Sequence, residues 1–328
     1  MREITFVEAL REALREEMKR NDKIIILGED VGKYGGVYRV TQGLIEEFGE
    51  NRVLDTPISE IAIVGAAIGA ALGGLKPIAE IMYMDFAMIA MDQIVTQAAK
   101  MRFMSGGQLK VPIVIRTQYS LGRAHGSQHS QFYPSWFVNS PGIKVVLPST
   151  PYDAKGLLKS SIRDDNPVLF IECGVLYRSK GNVPEEEYTI PLGKAEIKKR
   201  GEDLTIIAVS RCVQEALKAA NKLEEKGINA EVIDLRTLVP LDVETIVNSV
   251  KKTGKVVIAS DDVKYCSIAS EIAMTVMENA FDYLDGPIVR VTSPPLPVPF
   301  SPELEKAYMV SDVKILNKIE EAFGYKLS

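Results

Sequence analysis

The sequence predicts an α/β fold of two doubly wound units, the first larger than the second. Two observations carry this. Short β-branched runs alternate with longer periodic segments, the pattern of a mainly parallel sheet covered on both faces. That alternation occurs twice, on either side of a charged connector at residues 180–201. At 328 residues, with 46% hydrophobic and 25% charged side chains, the chain is long enough for two ordinary soluble cores.

In chain order, the first residues, Met1-Arg2-Glu3-Ile4-Thr5, are expected to run straight into an amphipathic helical pattern, without a signal or transit segment. Strand-like runs follow at 23–27, 77–82, 111–116, 144–147 and 168–171, with helices at 61–75, 86–104 and 152–163 among them. The helix at 61–75 is the most apolar run, too short to span a bilayer and bounded by Glu60 and Lys76. Gly65, Gly69 and Gly73 recur on it every four residues, a spacing that permits close approach of another helix. From Gln118 to Pro134 no period is visible, and Gly, Ser, Gln, His and Tyr dominate; a long irregular loop after a buried strand is where a site sits in such a sheet. The connector holds Pro184-Glu185-Glu186-Glu187, then a hairpin, and closes at Lys198-Lys199-Arg200-Gly201. Beyond it strands are expected at 204–209, 230–235, 255–259 and 288–291, and helices at 213–226, 243–252, 268–281 and after Ser311. The domains are therefore expected at 1–180 and 202–328, joined by 181–201.

A net charge of −5 and pI near 5.4, with no basic tail or arginine stripe, argue against a nucleic-acid or anionic-membrane surface as the main role. Cys173, Cys212 and Cys266 are scattered and odd in number, so no disulfide framework or CxxC metal site is readable, and a cytoplasmic, reducing location is expected. His125 and His129 are the only histidines, and their i, i+4 interval spans Gly126-Ser127-Gln128 without a third ligand, which argues against zinc. No GxSxG elbow and no P-loop occur. Beside Arg116, Tyr119 and Arg123, the two histidines are expected to line a cavity for an anionic or polar substrate.

The stretch Asp55-Thr56-Pro57-Ile58-Ser59-Glu60 puts a carboxylate at a helix start, followed by apolar, glycine-rich chain with little to solvate or pair it. Pro57 restricts the approach, Ser59 is a candidate cap, and a negative charge is favoured at a helix N-terminus. Acidic residues in a first turn are common, so this alone reads equally as a cap.

Taken in order, Ile26-Leu27-Gly28-Glu29-Asp30-Val31-Gly32, the DTPISE run at 55–60, Met91-Asp92-Gln93-Ile94, residues 102–108 (RFMSGGQ), Gln128-His129-Ser130-Gln131, Val145-Val146-Leu147-Pro148 and Val232-Ile233-Asp234-Leu235-Arg236 form a series across nearly the whole chain. It closely resembles the beta subunit of the thiamine-diphosphate-dependent decarboxylase component of 2-oxo acid dehydrogenase complexes, a transketolase-like group with pyruvate, branched-chain 2-oxo acid and acetoin members. The resemblance implies a pyrimidine-binding thiamine-diphosphate domain followed by a smaller transketolase C-terminal-like domain. It implies oxidative decarboxylation of a 2-oxo acid with acyl transfer to a lipoyl group. The GGQ and QHS segments look more like the pyruvate and acetoin members.

By position, Glu60 matches the family's cofactor-activating glutamate. There a carboxyl group hydrogen-bonds the aminopyrimidine and favours its imino form, whose exocyclic nitrogen deprotonates the thiazolium carbon. Ile58 is implied to touch the ring from below and Phe86 to stack near it; both residue types are also ordinary core residues. His129 matches the active-site histidine facing substrate, able to donate a hydrogen bond or a proton near neutral pH. His125 has no such match and reads as a loop residue. Backbone carbonyls of Ile113, Ser161, Ile162, Asp164 and Asn166 fall on a potassium site of some relatives.

Enzymes that hold the diphosphate themselves carry GDG followed by NN, which supplies oxygen ligands to a divalent cation. This chain has neither. It reads as half a site, with diphosphate and magnesium ligands from an alpha subunit in an α2β2 assembly and a lipoyl acyltransferase core as a further partner. Two departures from the family pattern lie in the second domain. Residues 260–269 read SDDVKYCSIA without the glycines common in relatives, so that turn is expected to avoid positive φ. Residues 291–297 read VTSPPLP. They motivate the alternative, a non-catalytic assembly or binding subunit that retains the fold. A single-chain transketolase-like enzyme is disfavoured by the missing diphosphate motif.

Overall fold

A computed structural model describes residues 1–326. The strands in chain order are β1 (Arg2–Thr5), β2 (Ile24–Gly28), β3 (Val53–Asp55), β4 (Lys76–Ile81), β5 (Val114–Tyr119), β6 (Lys144–Val146), β7 (Val168–Cys173), β8 (Lys180–Val183), β9 (Glu196–Lys199), β10 (Leu204–Ala208), β11 (Ala230–Asp234), β12 (Thr237–Val239), β13 (Val256–Val263) and β14 (Val289–Ser293). One sheet of seven runs β12-β6-β7-β5-β4-β2-β3 and a second of five runs β14-β13-β10-β11-β9. Within these two sheets all pairings are parallel except those of β12 with β6 and β9 with β11. Every residue of β5 and β7 is buried, as expected for central strands covered on both faces. The two α/β units predicted from the alternation are present.

The helix Phe6–Arg20 opens on a full capping box, Thr5 and Glu8 satisfying each other's backbone donors. It packs along Pro151–Arg163, where buried Lys155 and Lys159 meet Glu16 at 2.7 and 2.8 Å and Arg163 meets Glu17 at 2.5 Å. The charges are out of water but paired, the condition under which buried ions are tolerated.

Several expectations fail, each for a tertiary reason. The chain does not enter its first helix directly: β1 pairs antiparallel with β8. That pairing takes the start of the connector, ahead of the expected hairpin, and β9, from the expected hairpin's region, adds to the edge of the second sheet beside β11. The connector therefore bridges two sheets instead of folding on itself. β12, from beyond the expected boundary, closes the edge of the first sheet. The single helix expected at 86–104 is a short helix, Met84–Ala87, then a π-helical segment, Asp92–Ala98, continuing as Ala99–Met104. Buried Ala90, Ile94 and Ala98 stand four apart, a spacing that suits a wide turn as well as an ordinary one. At residues 260–269, β13 runs on through Val263, and Cys266 takes φ +48° without being glycine.

Candidate functional site

Four adjacent parallel strands, β5, β4, β2 and β3, end at the same edge of the first sheet. The segments leaving them are the ones singled out by sequence. After β3 comes the DTPISE run; after β4, Met82 to Phe86; after β5, the polar loop; after β2, Glu29 and Asp30. The carboxyl edge of such a sheet is where ligands bind.

Glu60 is the first residue of the helix Glu60–Leu72, preceded by Ser59. Ser59 makes no side-chain cap, contrary to expectation, so the carboxylate and the bare backbone N–H groups share that terminus. Glu60 is 6% exposed, and its side chain has no hydrogen-bond or ion-pair partner among the described residues. Glu29 lies close enough to feel it: burial, then the charges of Glu60 and Asp30, push the Glu29 carboxyl above its usual range. Ile58, two residues earlier, is 83% exposed.

An aromatic wall continues from Phe86. Its ring is edge-on to Tyr83 (5.5 Å) and to His129 (5.3 Å), and the Tyr83 ring meets His129 at 5.0 Å and His125 at 5.9 Å. Asp85 holds the loop below, accepting from the Gln131 side chain at 2.7 Å, while burial pushes its carboxyl upward. The second domain clamps the same loop. Glu305 accepts from the Ala124 amide (2.7 Å), and Ser127 donates to the Val298 carbonyl (2.7 Å). A side chain at Gly126, in the left-handed region at φ +76°, would press on Phe300. The site loop is thus set by contacts more than 170 residues away.

Not every expected residue joins the wall. Arg116 lies buried beneath it, bidentate to Glu172 at 2.8 and 2.9 Å and bonded to Glu80 at 2.6 Å, with Tyr177 donating to Glu172 at 2.8 Å. Tyr119 is buried too, its hydroxyl on Ser210 at 3.1 Å. Both belong to the interior: on a strand buried on both faces, even polar side chains point into protein. Arg123 stacks on the Tyr38 ring at 4.7 Å. Tyr38 and Tyr83 were missed by sequence, although Tyr83 stands three residues before Phe86 on the same turn.

Among the described residues no three His, Cys, Asp or Glu side chains converge to hold a metal ion. Of the five carbonyls expected at potassium, those of Ile162 and Asp164 accept from Lys76 Nζ at 3.4 and 3.5 Å, as does that of Arg163 at 3.3 Å. The Ile113 carbonyl accepts the Val168 amide at 2.9 Å, and that of Ser161 the Asp164 amide at 3.3 Å. Lys144 pairs with Asp164, Lys110 with Asp165 and Arg102 with Asn166.

Residues 2–180 match the family "Transketolase, pyrimidine binding domain" and residues 193–315 "Transketolase, C-terminal domain". The chain is 48% identical to the 2-oxoisovalerate dehydrogenase subunit beta of Bacillus subtilis, over 95% of this chain and 96% of that protein. It is 47% identical to the acetoin:2,6-dichlorophenolindophenol oxidoreductase subunit beta of the same organism, over 98% of both. It is also 47% identical to the pyruvate dehydrogenase E1 component subunit beta of Rickettsia bellii, over 97% and 98%. A split-gene transketolase solved as an inactive beta4 tetramer shares the fold, with TM-score 0.82 at 23% identity over 98% and 99% of the two chains. Among the described residues no helix is long and apolar enough to cross a membrane. With its transketolase domains in this order and near-full-length matches to each kind of relative, the chain belongs to the family of 2-oxo acid and acetoin dehydrogenase beta subunits.

Proposed function

We propose that this chain, assembled with an alpha subunit as α2β2, performs thiamine-diphosphate-dependent oxidative decarboxylation of a 2-oxo acid and passes the acyl group to a lipoyl arm. The observation that carries the reading is Glu60, a carboxyl buried at a convergent strand edge with no hydrogen-bond or ion-pair partner among the described residues. Leaving such a group unpaired costs several kcal/mol unless a ligand pairs it. A ring nitrogen of the cofactor's aminopyrimidine is a fitting partner. The cofactor, when bound, supplies the electron sink for cleaving the bond beside the carbonyl.

The chain's own residues do the rest. Glu60 would hold and share the proton at the ring nitrogen. Exposed Ile58 would lie under the ring and Phe86 beside it, excluding water. His129, edge-on to Phe86, would face the substrate and give or take a proton near neutral pH. With no GDG and no NN in the sequence, magnesium and the diphosphate would be held by the alpha subunit, so cofactor sits between the two chains. A lipoyl acyltransferase core is the expected acceptor, and the cytoplasm the expected location. Potassium does not fit: Lys76 already donates to two of its five expected carbonyls, and four cationic side chains crowd residues 162–166.

Calorimetry tests the half-site. The chain alone should bind thiamine diphosphate feebly, and adding an alpha subunit carrying GDG and NN should create tight, magnesium-dependent binding. Micromolar, magnesium-dependent binding by this chain alone would overturn it.

A further inference from the structure

The polar loop carries a second histidine, and a one-way run of hydrogen bonds leads to it. Ser120 Oγ donates to Gln118 Oε1 at 2.9 Å. Gln118 Nε2 donates to the Tyr38 hydroxyl at 3.2 Å, and Tyr38 donates to the Tyr83 hydroxyl at 2.7 Å. The Tyr83 hydroxyl lies 3.4 Å from His125 Nδ1. With its oxygen already accepting from Tyr38, Tyr83 has its own proton to give to Nδ1. Nδ1 is then the acceptor nitrogen, so the single proton of a neutral imidazole stands on Nε2. Each donor in such a run polarises the next.

Burial, then the charges of Arg123 and His129, lower the basicity of the imidazole against the opposing charge of Glu305. Tyr83 stands between the two histidine rings, edge-on to both. His125 therefore shares one wall with His129 and Phe86, and its Nε2–H has no hydrogen-bond partner among the described residues.

We propose that His125 is a substrate-positioning residue, its Nε2–H donating to an oxygen carried on the carbon next to the reacting carbonyl. Two substrate classes of the proposed reaction carry that oxygen: the carboxylate of a 2-oxo acid and the hydroxyl of a 2-hydroxy ketone. The inference rests on the function proposed above, and the two parts of its test separate their failures.

The first part needs no turnover. The chain has only two histidines, so nitrogen-15 NMR of the full chain with labelled histidine resolves each ring. His125 should be protonated at Nε2 at pH 7, and Tyr83→Phe should release it to a mixture of tautomers. A wild-type mixture, or one unmoved by Tyr83→Phe, overturns the proposal. The second part uses the enzyme assembled with its alpha subunit, assayed with pyruvate, 2-oxoisovalerate, acetoin and an artificial electron acceptor. His125→Ala should lower kcat/KM for the substrate it turns over, by about ten- to a hundred-fold for pyruvate or 2-oxoisovalerate, whose partner oxygen is charged, and about ten-fold or less for acetoin. His125→Gln, which returns a donor near Nε2, should recover most of the loss, as it would not if the ring merely packed. Equal kcat/KM in His125→Ala and wild type overturns the proposal while the function stands. A wild-type assembly that turns over none of the three compounds overturns both, whatever the NMR result.

Discussion

Replacing Glu60 by Gln should cut activity without costing stability, because this carboxyl has no partner to lose among the described residues. In the free chain it is 6% exposed and unpaired. A neutral amide of the same shape removes the cost of burying a charge and keeps the helix start. Urea unfolding of the free chain should therefore show Glu60→Gln unchanged or more stable, by up to about 2 kcal/mol. In the complex with the alpha subunit, the same change removes an acid–base partner of the cofactor ring, and such groups are worth about 10²–10⁴-fold in rate. That corresponds to roughly 3–5 kcal/mol of barrier at 1.4 kcal/mol per ten-fold. Deuterium exchange at the thiazolium carbon, followed by proton NMR in the assembled enzyme, reads that step apart from substrate binding. Exchange at the wild-type rate would refute the role of Glu60. A loss of more than about 1 kcal/mol in the free chain would show that Glu60 is paired within the fold and would remove the observation on which the role rests.

Asp262 is 4% exposed, and burial raises its carboxyl from 3.8 to about 6 despite the amide of Ile268 bonding to it at 2.7 Å. A carboxyl raised by folding adds stability that is full below its unfolded pKa near 4 and lost as pH rises through about 6. Asp262→Asn should thus gain about 1–3 kcal/mol over wild type at pH 8 and little at pH 4; urea unfolding with no gain at pH 8 would contradict this. At Gly69 an added Cβ meets nothing within 4 Å, and Ile61 and Leu72 on that helix are also exposed. Gly69→Leu should fold normally but weaken subunit association by about 1–3 kcal/mol, and unaltered sedimentation with the alpha subunit would argue that this face stays free. With the Lys76 ammonium on the carbonyls at the end of Pro151–Arg163, wild-type melting should be the same in potassium and sodium chloride. Lys76→Met should make it potassium-dependent, and a wild-type shift of several degrees would show that the metal displaces the lysine.

The sequence by itself determined the alternation of strand and helix, because β-branched runs and helical periodicity are local properties. It also marked the segments that meet at the site. DTPISE, Phe86 and His129 sit just after strands, and parallel strands of one sheet necessarily end on one edge. It could not tell which polar residues of that edge face inward. Arg116 and Tyr119 look like cavity residues in a row of letters, but β5 is a central strand and both side chains are enclosed by protein. The pairing of β1 with β8, the transfer of β12 to the first sheet and the clamp of Glu305 on the histidine loop join residues far apart in sequence, and no local propensity encodes them. Tyr38 and Tyr83 carry no signature for the same reason, since a tyrosine becomes part of a relay only when folding brings its hydroxyl to another. The tertiary structure alone decided that His125, unmatched by any motif, stands in the wall with Nδ1 beside the Tyr83 hydroxyl, because Tyr83 comes from the segment that follows another strand of the sheet.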